Sequence, residues 1–140
     1  MNLSSCKKKD KSLHCEKSAF GEQATWVNSW HALERAYAEG RASSIGVSNF
    51  DVKLLDQIQT FADVLPHVVQ NFAEPGKLDF DVRVWCSRNS AVFMPYSVQR
   101  NLRYLPQEIL SAINAAAIVH GVSPNAVVLK FFLQTGTFVW

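Results

Sequence analysis

Hydroxyl and amide side chains close three apolar segments of this sequence. The segments read ASSIGVS, HVVQ and AVFMPYS, and each is short and typical of a buried strand. The polar side chains at or just past their ends are, in chain order, Ser48, Asn49, Gln70, Asn71, Tyr96 and Ser97. The carboxyl ends of parallel strands meet at one edge of a sheet, which is where ligands bind in such folds. The sequence therefore predicts one shared site.

The chemistry of that site would be binding and orientation. Hydroxyl and amide groups suit a neutral polar ligand such as a carboxamide, and the ring of Tyr96 could stack on a flat heterocycle. None of these groups titrates near neutral pH, so we expect no acid–base centre among them. We assign no catalytic residue on this pattern.

A simpler interpretation of the same residues stays open. Ser48 or Asn49 could cap the helix that begins near Asp51, since both residue types are common at that position whether or not a ligand exists. Gln70 alone could be a satisfied polar group at a strand end, and Tyr96 alone a core or rim residue. Capping and binding do not exclude each other.

Amphipathic helices precede and separate the apolar segments. Helical spacing predicts a first helix from about Thr25 to Glu39, ended by Gly40, with a buried face of Trp26, Trp30, Leu33 and Tyr37. A second helix would bury Leu54, Leu55, Ile58 and Phe61, and a third, from about Asp79 to Arg88, would bury Val82, Trp85 and Cys86. Strand and helix therefore alternate.

The repeat of this unit predicts a parallel α/β architecture. The strand centres near Ile45, Val68 and Val92 are about two dozen residues apart, close to the repeat of a strand plus crossover helix. Two further helices are expected, from Pro106 to about Val119 and from Ser123 to about Gln134, and the closing letters TFVW would begin a fourth strand. Such a sheet is part of a barrel or of a doubly wound fold.

Composition limits the class of protein. The chain has 140 residues, 48% of them hydrophobic and 19% charged, which is typical of a globular domain. We expect a poorly ordered basic arm at residues 1–23 and a domain at residues 24–140. The net charge of +2 does not indicate nucleic-acid binding, and the sequence shows neither a signal peptide nor a membrane span, which favours the cytoplasm.

The cysteines favour neither a disulfide framework nor a metal site. Three cysteines are an odd number, and they are widely separated. Cys6, His14 and Cys15 lack the fourth ligand and the paired spacing of a zinc site. We therefore expect a reducing compartment and no metal.

Four stretches in order resemble the carboxyl-terminal half of an aldo-keto reductase. They are WHALERAYAEGRASSIGVSNFDVKLLDQI, HVVQNFAEP, VRVWCSRNSAVFMPYS and HGVSPNAVVLKFFLQTG, between about Thr25 and Gly136. The resemblance implies a partial (β/α)8 TIM barrel of about four parallel strands. It also implies hydride transfer between NADP(H) and a small carbonyl or alcohol. On the same resemblance Ser48, Asn49 and Gln70 would hold the nicotinamide carboxamide, Tyr96 would stack on its ring, and Ser97 would approach the pyrophosphate.

The sequence also departs from the pattern of that family. The family carries its catalytic tetrad of Asp, Tyr, Lys and His on earlier strands, which have no counterpart before Thr25. Pro-Leu-Gly usually follows the family's YS, where this chain has Val98, Gln99 and Arg100, and the pocket for the adenosine 2'-phosphate lies beyond Trp140. Arg100 and Arg103 are the nearby basic candidates for a phosphate contact. We therefore expect no turnover from these residues alone.

Two alternatives to an enzyme remain. The chain could be a non-catalytic interaction module, in which open barrel edges lead to self-association or recruit a partner. It could also be the product of a truncated gene model.

Overall fold

The computed structural model describes residues 26–137, which form five α-helices, three β-strands and a 3₁₀ turn at Leu102–Tyr104. The elements are α1 (Trp26–Ala38), β1 (Gly46–Ser48), α2 (Val52–Gln59), β2 (Val68–Phe72), α3 (Phe80–Arg88), β3 (Val92–Tyr96), α4 (Gln107–His120) and α5 (Pro124–Gln134). The basic arm predicted at residues 1–23, with Cys6, His14 and Cys15, lies outside the described residues.

The three strands form one parallel sheet in the order β1-β2-β3. Ser48 is level with Gln70, which is level with Met94, and Phe72 is level with Tyr96. The strand at Gly46 lies unusually close to its neighbour, since a Cβ there would meet the carbonyl oxygen of Val68 at 2.4 Å. The three predicted strands are confirmed, and β2 runs two residues further than expected. Thr137, the first residue of the predicted fourth strand, is not in a strand, and residues 138–140 are not described.

The helices cover one face of this sheet. Val69 and Phe93 point from the strands into the main core, where they pack with side chains from α2, α3, α4 and α5. Those helical side chains include Leu55, Val82, Trp85, Cys86, Ile113, Val128 and Phe132. The burial of Val82, Trp85 and Cys86 on α3 confirms the face predicted for that helix.

The predicted face of α1 is wrong at one position. Trp30 is buried as expected, but Leu33 is 40% exposed and its neighbour Glu34 is 7% exposed. Glu34 is buried because its Oε1 accepts hydrogen bonds from the backbone N–H groups of Asp63 and Val64, at 2.8 and 2.9 Å. Apolar spacing alone cannot reveal a carboxylate that satisfies a distant loop.

The predicted helix ends are confirmed where the sequence signal was strongest. Gly40 and Gly121 follow α1 and α4 in the left-handed conformation, with φ of 70° and 61°. Ser123 caps α5 by accepting from the N–H of Ala126 at 3.2 Å, and Pro124 occupies the first helical position.

The α4–α5 hairpin keeps a large apolar surface. A groove of about 300 Å³ between the helices is lined by Pro75, Ile109, Ala112, Ile113, Val127, Val128 and Phe131. At the carboxyl end of α4, Ile118 and Val119 are 82% and 77% exposed. No single helix within residues 26–137 has the length and apolarity to cross a bilayer; α4 and α5 reach that threshold only together and are bent by 99°.

Candidate functional site

The face of the sheet that the helices leave open carries the predicted site residues. Side chains alternate between the two faces of a strand, and level partners in a parallel sheet share a face. Because Val47, Val69 and Phe93 point toward the helices, their neighbours along each strand point the other way. The residues of this open face are Gly46, Ser48, Val68, Gln70, Phe72, Val92, Met94 and Tyr96. Ser48, Gln70 and Tyr96 therefore share this face.

A hydrogen bond joins the two outer strands at this edge. The hydroxyl of Tyr96 at the end of β3 donates to Oδ1 of Asn49, which follows β1, at 2.7 Å. The Tyr96 ring also meets the Phe72 ring edge-on, with centroids 6.0 Å apart. These contacts fix the aromatic ring beside the amide, and the two Nδ2 protons of Asn49 have no acceptor among residues 26–137.

The backbone turns sharply at the same edge. Asn49 and Ser97 follow β1 and β3 with φ of 60° and 59°, a region that side chains other than glycine enter at a cost of about 1 kcal/mol or more. The N–H of Asn49 donates to the carbonyl of Gln70 at 3.0 Å, which extends the ladder by one bond. Strained residues persist where the surroundings hold them, and they are frequent at binding sites.

The structure excludes the capping interpretation for Ser48 and Asn49. Asp51 is the N-cap of α2, and its Oδ1 accepts from the N–H of Leu54 at 2.9 Å. Ser48 is exposed, and within residues 26–137 its hydroxyl has no hydrogen-bond partner. Local sequence suggested a cap there because the strand and the helix are separated by only a few polar residues.

Gln70 is half-buried and weakly bonded. Its Nε2 donates at 3.5 Å to the sulfur of Met94, which is a poor acceptor. The oxygen of the same side-chain amide lies on the open side of the sheet. A weakly held amide between Ser48 and Met94 is a natural partner for a ligand that can both donate and accept.

The segment after Tyr96 turns inward. Ser97 accepts from the N–H of Arg100 at 3.0 Å, and Val98 is buried in the core, which sets the course of the loop that replaces the family's Pro-Leu-Gly. Arg100 is exposed, while the guanidinium of Arg103 lies 4.9 Å from the centre of the Tyr104 ring. Ser97 directly follows Tyr96, but within residues 26–137 its side chain forms no hydrogen bond with the other four predicted site residues.

Asn71 holds the edge together, which the sequence did not indicate. It is 7% exposed, faces the helices, and bonds both to the backbone of Phe50 and to the carboxylate of Asp79. The sequence alone groups Asn71 with Gln70 as a strand-end amide of the shared site, and its inward orientation corrects that grouping. The parity of the strand was the available signal, because consecutive residues must point to opposite faces.

Metal ligation is not supported in the described part of the chain. Between residues 26 and 137, no group of three or more His, Cys, Asp or Glu side chains has the arrangement of a metal site. The chemistry of this edge is that of neutral donors and acceptors around the rings of Phe72 and Tyr96.

Comparison with known proteins gives relatives of one kind. No family model matches the chain. Glyoxal reductase of Bacillus subtilis is 31% identical over 111 residues, which cover 79% of this chain and 39% of that protein. Aldo-keto reductase family 1 member A1 of Xenopus tropicalis is 31% identical over 116 residues, covering 78% and 36%.

Solved structures agree with the sequence comparison. A mutant of Gox0644 in complex with NADPH matches with a TM-score of 0.73 and 30% identity, over 81% of this chain and 41% of that one. The chain thus spans about two-fifths of the length of the relatives that it matches. By sequence and by fold, this chain is related to the aldo-keto reductases, and its described residues form part of that family's (β/α)8 barrel.

Proposed function

We propose that this protein is an NADPH-dependent oxidoreductase acting on small carbonyl compounds, and that residues 26–137 supply the nicotinamide side of its cofactor site. The observation that carries the proposal is the gathering of Ser48, Asn49, Gln70 and Tyr96 at one open edge of the sheet. The relationship to glyoxal reductase, and to a protein solved with NADPH, supports both the reaction class and the cofactor.

The donors and acceptors at this edge fit a carboxamide. A carboxamide presents one carbonyl oxygen and one NH₂ group, so it needs at least one donor and one acceptor. The Nδ2 of Asn49 and the hydroxyl of Ser48 can donate, and the amide oxygen of Gln70 can accept. The neutral set carries no charge whose burial beneath a ligand would be costly.

Tyr96 would contribute a wall against the pyridine ring. Offset or edge-on ring contacts add about 0.5–1.5 kcal/mol beyond the area they bury. The Asn49 contact restrains the Tyr96 side chain before any ligand arrives, which reduces the entropy lost on binding. Ser97 would lie toward the pyrophosphate, with Arg100 as the exposed cation nearest in sequence.

The cofactor, when bound, supplies a hydride to the carbonyl carbon of the substrate. Holding the carboxamide fixes which face of the nicotinamide ring is presented, and this is the role we assign to Ser48, Asn49 and Gln70. The hydroxyl of Tyr96 is bonded to the amide oxygen of Asn49 rather than to a basic group, and the other four predicted site residues carry only neutral hydroxyl and amide groups. We therefore assign the proton donor to residues other than these five.

That assignment has a kinetic consequence. General acid catalysis typically contributes about 10²–10⁴ in rate. Because the family's catalytic tetrad has no counterpart in this sequence, we propose that these 140 residues bind the cofactor but show no measurable NADPH-dependent reduction of aldehydes on their own. Cofactor binding can therefore be measured in the absence of turnover, and the NADPH dissociation constant is the quantity that tests the proposal.

A pair of substitutions at Tyr96 tests the proposal. Tyr96→Ala should weaken NADPH binding by about 1–3 kcal/mol, because it removes the stacking surface. Tyr96→Phe keeps the ring and loses only the Asn49 bond, so its effect should be smaller. The dissociation constants are measured by calorimetric titration of NADPH into folded protein, with folding checked by circular dichroism.

Tyr104→Ala is the matched control. This tyrosine is 72% exposed on the 3₁₀ turn and stacks with Arg103 rather than with the site, so its loss should leave the affinity unchanged. Equal affinities for the Tyr96→Ala and wild-type proteins, with both folded, would remove Tyr96 from the site.

The unpaired strand edges of the sheet favour a second property, self-association. We propose that two copies pair along these edges, because the three strands described within residues 26–137 leave both edges of the sheet unpaired. Light scattering coupled to size exclusion should give a mass above the 15.7 kDa of one chain. A compact monomer at all concentrations would contradict the pairing.

A further inference from the structure

We propose that Asn71 and Asp79 are positioning residues for the cofactor edge, acting through the turn that carries Asn49. The proposal rests on the nicotinamide role assigned above, but it concerns two residues that face away from the ligand. They would keep Asn49 and Tyr96 in contact, and their loss would weaken cofactor binding without removing any group that touches the cofactor.

The side chain of Asn71 forms hydrogen bonds with both backbone groups of Phe50. Its Oδ1 accepts from the N–H of Phe50 at 3.2 Å, and its Nδ2 donates to the carbonyl of the same residue at 2.8 Å. A side-chain amide bonded to both backbone groups of one residue fixes the peptide planes before and after it. Phe50 is in turn fixed by its ring, which meets Trp26 edge-on with centroids 5.3 Å apart.

These two hydrogen bonds to Phe50 help to fix the backbone conformation of Asn49, the preceding residue. The N–H of Asn49 is held by the carbonyl of Gln70, and the peptide that follows it is held by Asn71, so both ends of the residue are restrained. Its φ of 60° needs such restraint, because the left-handed region is uncommon even for asparagine. The left-handed turn is what brings Oδ1 within 2.7 Å of the Tyr96 hydroxyl.

Asp79 completes the arrangement. It stands at the N-cap position of α3, yet its side chain makes no capping bond and its φ is 51°. Its carboxylate instead accepts from Nδ2 of Asn71 at 2.8 Å. Asp79 therefore orients the side-chain amide of Asn71 instead of capping α3. Because that amide holds the backbone of Phe50, Asp79 also stabilises the turn at Phe50.

Asn71→Ala and Asp79→Gly test the two residues. Glycine suits the left-handed backbone at position 79, so that variant removes the carboxylate without adding strain. We expect NADPH to bind about three- to tenfold more weakly to each, the range expected from losing a positional hydrogen bond. NMR of the proteins without cofactor should show the contact between the Asn49 amide and the Tyr96 ring in the wild type, and this contact should be absent in both variants.

Asn89→Ala is the control for a general loss of stability. Asn89 is a half-buried asparagine whose Nδ2, like that of Asn71, donates to a backbone carbonyl, that of Trp85, but it lies at the carboxyl end of α3. Asn89→Ala should lower the free energy of unfolding while leaving both the NADPH affinity and the Asn49–Tyr96 contact unchanged. If Asn89→Ala weakens NADPH binding as much as Asn71→Ala does, the positioning role is refuted.

The two readouts separate this inference from the proposed function. If the wild-type chain does not bind NADPH, the proposed function fails, and the NMR contact alone still decides whether Asn71 positions Asn49. A contact that persists in Asn71→Ala overturns the inference, and so does a lost contact with unchanged NADPH affinity. If Asn71→Ala does not fold, the same criteria apply to Asp79→Gly.

Discussion

Cys86 illustrates how the core controls the chemistry of a single residue. It is 2% exposed on the inner face of α3 and is the one cysteine among residues 26–137. Burial, and secondarily the negative charge of Asp79, raise the pKa of its thiol from 9.0 to about 11. The thiolate is the nucleophile, so Cys86 should be inert at neutral pH.

Alkylation kinetics check this prediction. In a Cys6→Ser, Cys15→Ser background, Cys86 should react with iodoacetamide at least about a hundredfold more slowly than free cysteine at neutral pH, because the thiolate is that much rarer. Denaturant should restore the ordinary rate. Reaction at the rate of free cysteine in the folded protein would show that the thiol is accessible and its pKa unshifted.

The residue scale also shows what sequence can and cannot predict about the site. Ser48, Gln70 and Tyr96 lie on one open face because strand parity and parallel register follow from apolar segments of the right length. The role of Asn71 could not be predicted. It depends on contacts with Phe50 and Asp79, which come from the packing of three separate segments.

At the scale of elements, Glu34 joins α1 to the segment before β2. Its carboxylate accepts from the N–H groups of Asp63 and Val64, from Nε1 of Trp30 at 3.2 Å, and lies 2.8 Å from Nδ1 of His31. Burial alone would raise the pKa of Glu34, but the hydrogen bonds from Val64, His31 and Asp63 together outweigh it and hold the pKa below 4.5.

Glu34→Ala should therefore destabilise the protein at neutral pH. The backbone donors of Asp63 and Val64 would lose their acceptor, at a cost of about 1–3 kcal/mol in the free energy of unfolding measured by urea denaturation. Glu39→Ala is the matched control, because the Glu39–Arg41 pair is exposed and such pairs contribute about 0–1 kcal/mol. Equal losses in the two variants would contradict the role of Glu34.

The sign of the pH dependence follows from the same shift. A carboxyl whose pKa is lower in the folded than in the unfolded state stabilises the protein above the unfolded pKa, and this contribution disappears as the pH falls through the folded pKa. The Glu34 contribution should thus be present above the ordinary pKa of the carboxyl and be lost as the pH falls through its lowered pKa in the folded protein. Glu34→Gln should show a shallower acid decline in unfolding free energy than wild type.

The elements themselves were largely predictable. Five helices and three strands follow from apolar periodicity and from end signals such as Gly40, Ser123 and Pro124. The prediction was wrong at Leu33, where a helical apolar residue is exposed because the adjacent Glu34 has hydrogen-bond partners on another segment. Periodicity reports average faces, and a buried charge with specific partners lies outside what it can detect.

At the scale of the whole molecule, the fold is a portion of a larger architecture. The chain spans about two-fifths of the relatives that it matches, and its sheet has one face covered by helices and one open. In a closed barrel that open face is the interior. This explains why the polar site residues lie on the side of the sheet against which none of the described helices packs.

Titration of NADPH into the isotopically labelled wild-type chain, followed by NMR, is the sharpest test of the proposal that residues 26–137 form the nicotinamide side of an NADPH site. We expect saturable shifts concentrated at Ser48, Asn49, Gln70 and Tyr96, with the surface around Tyr104 unaffected. Saturable binding that shifts other residues and leaves these four unchanged, or a folded chain that does not bind NADPH, would contradict it.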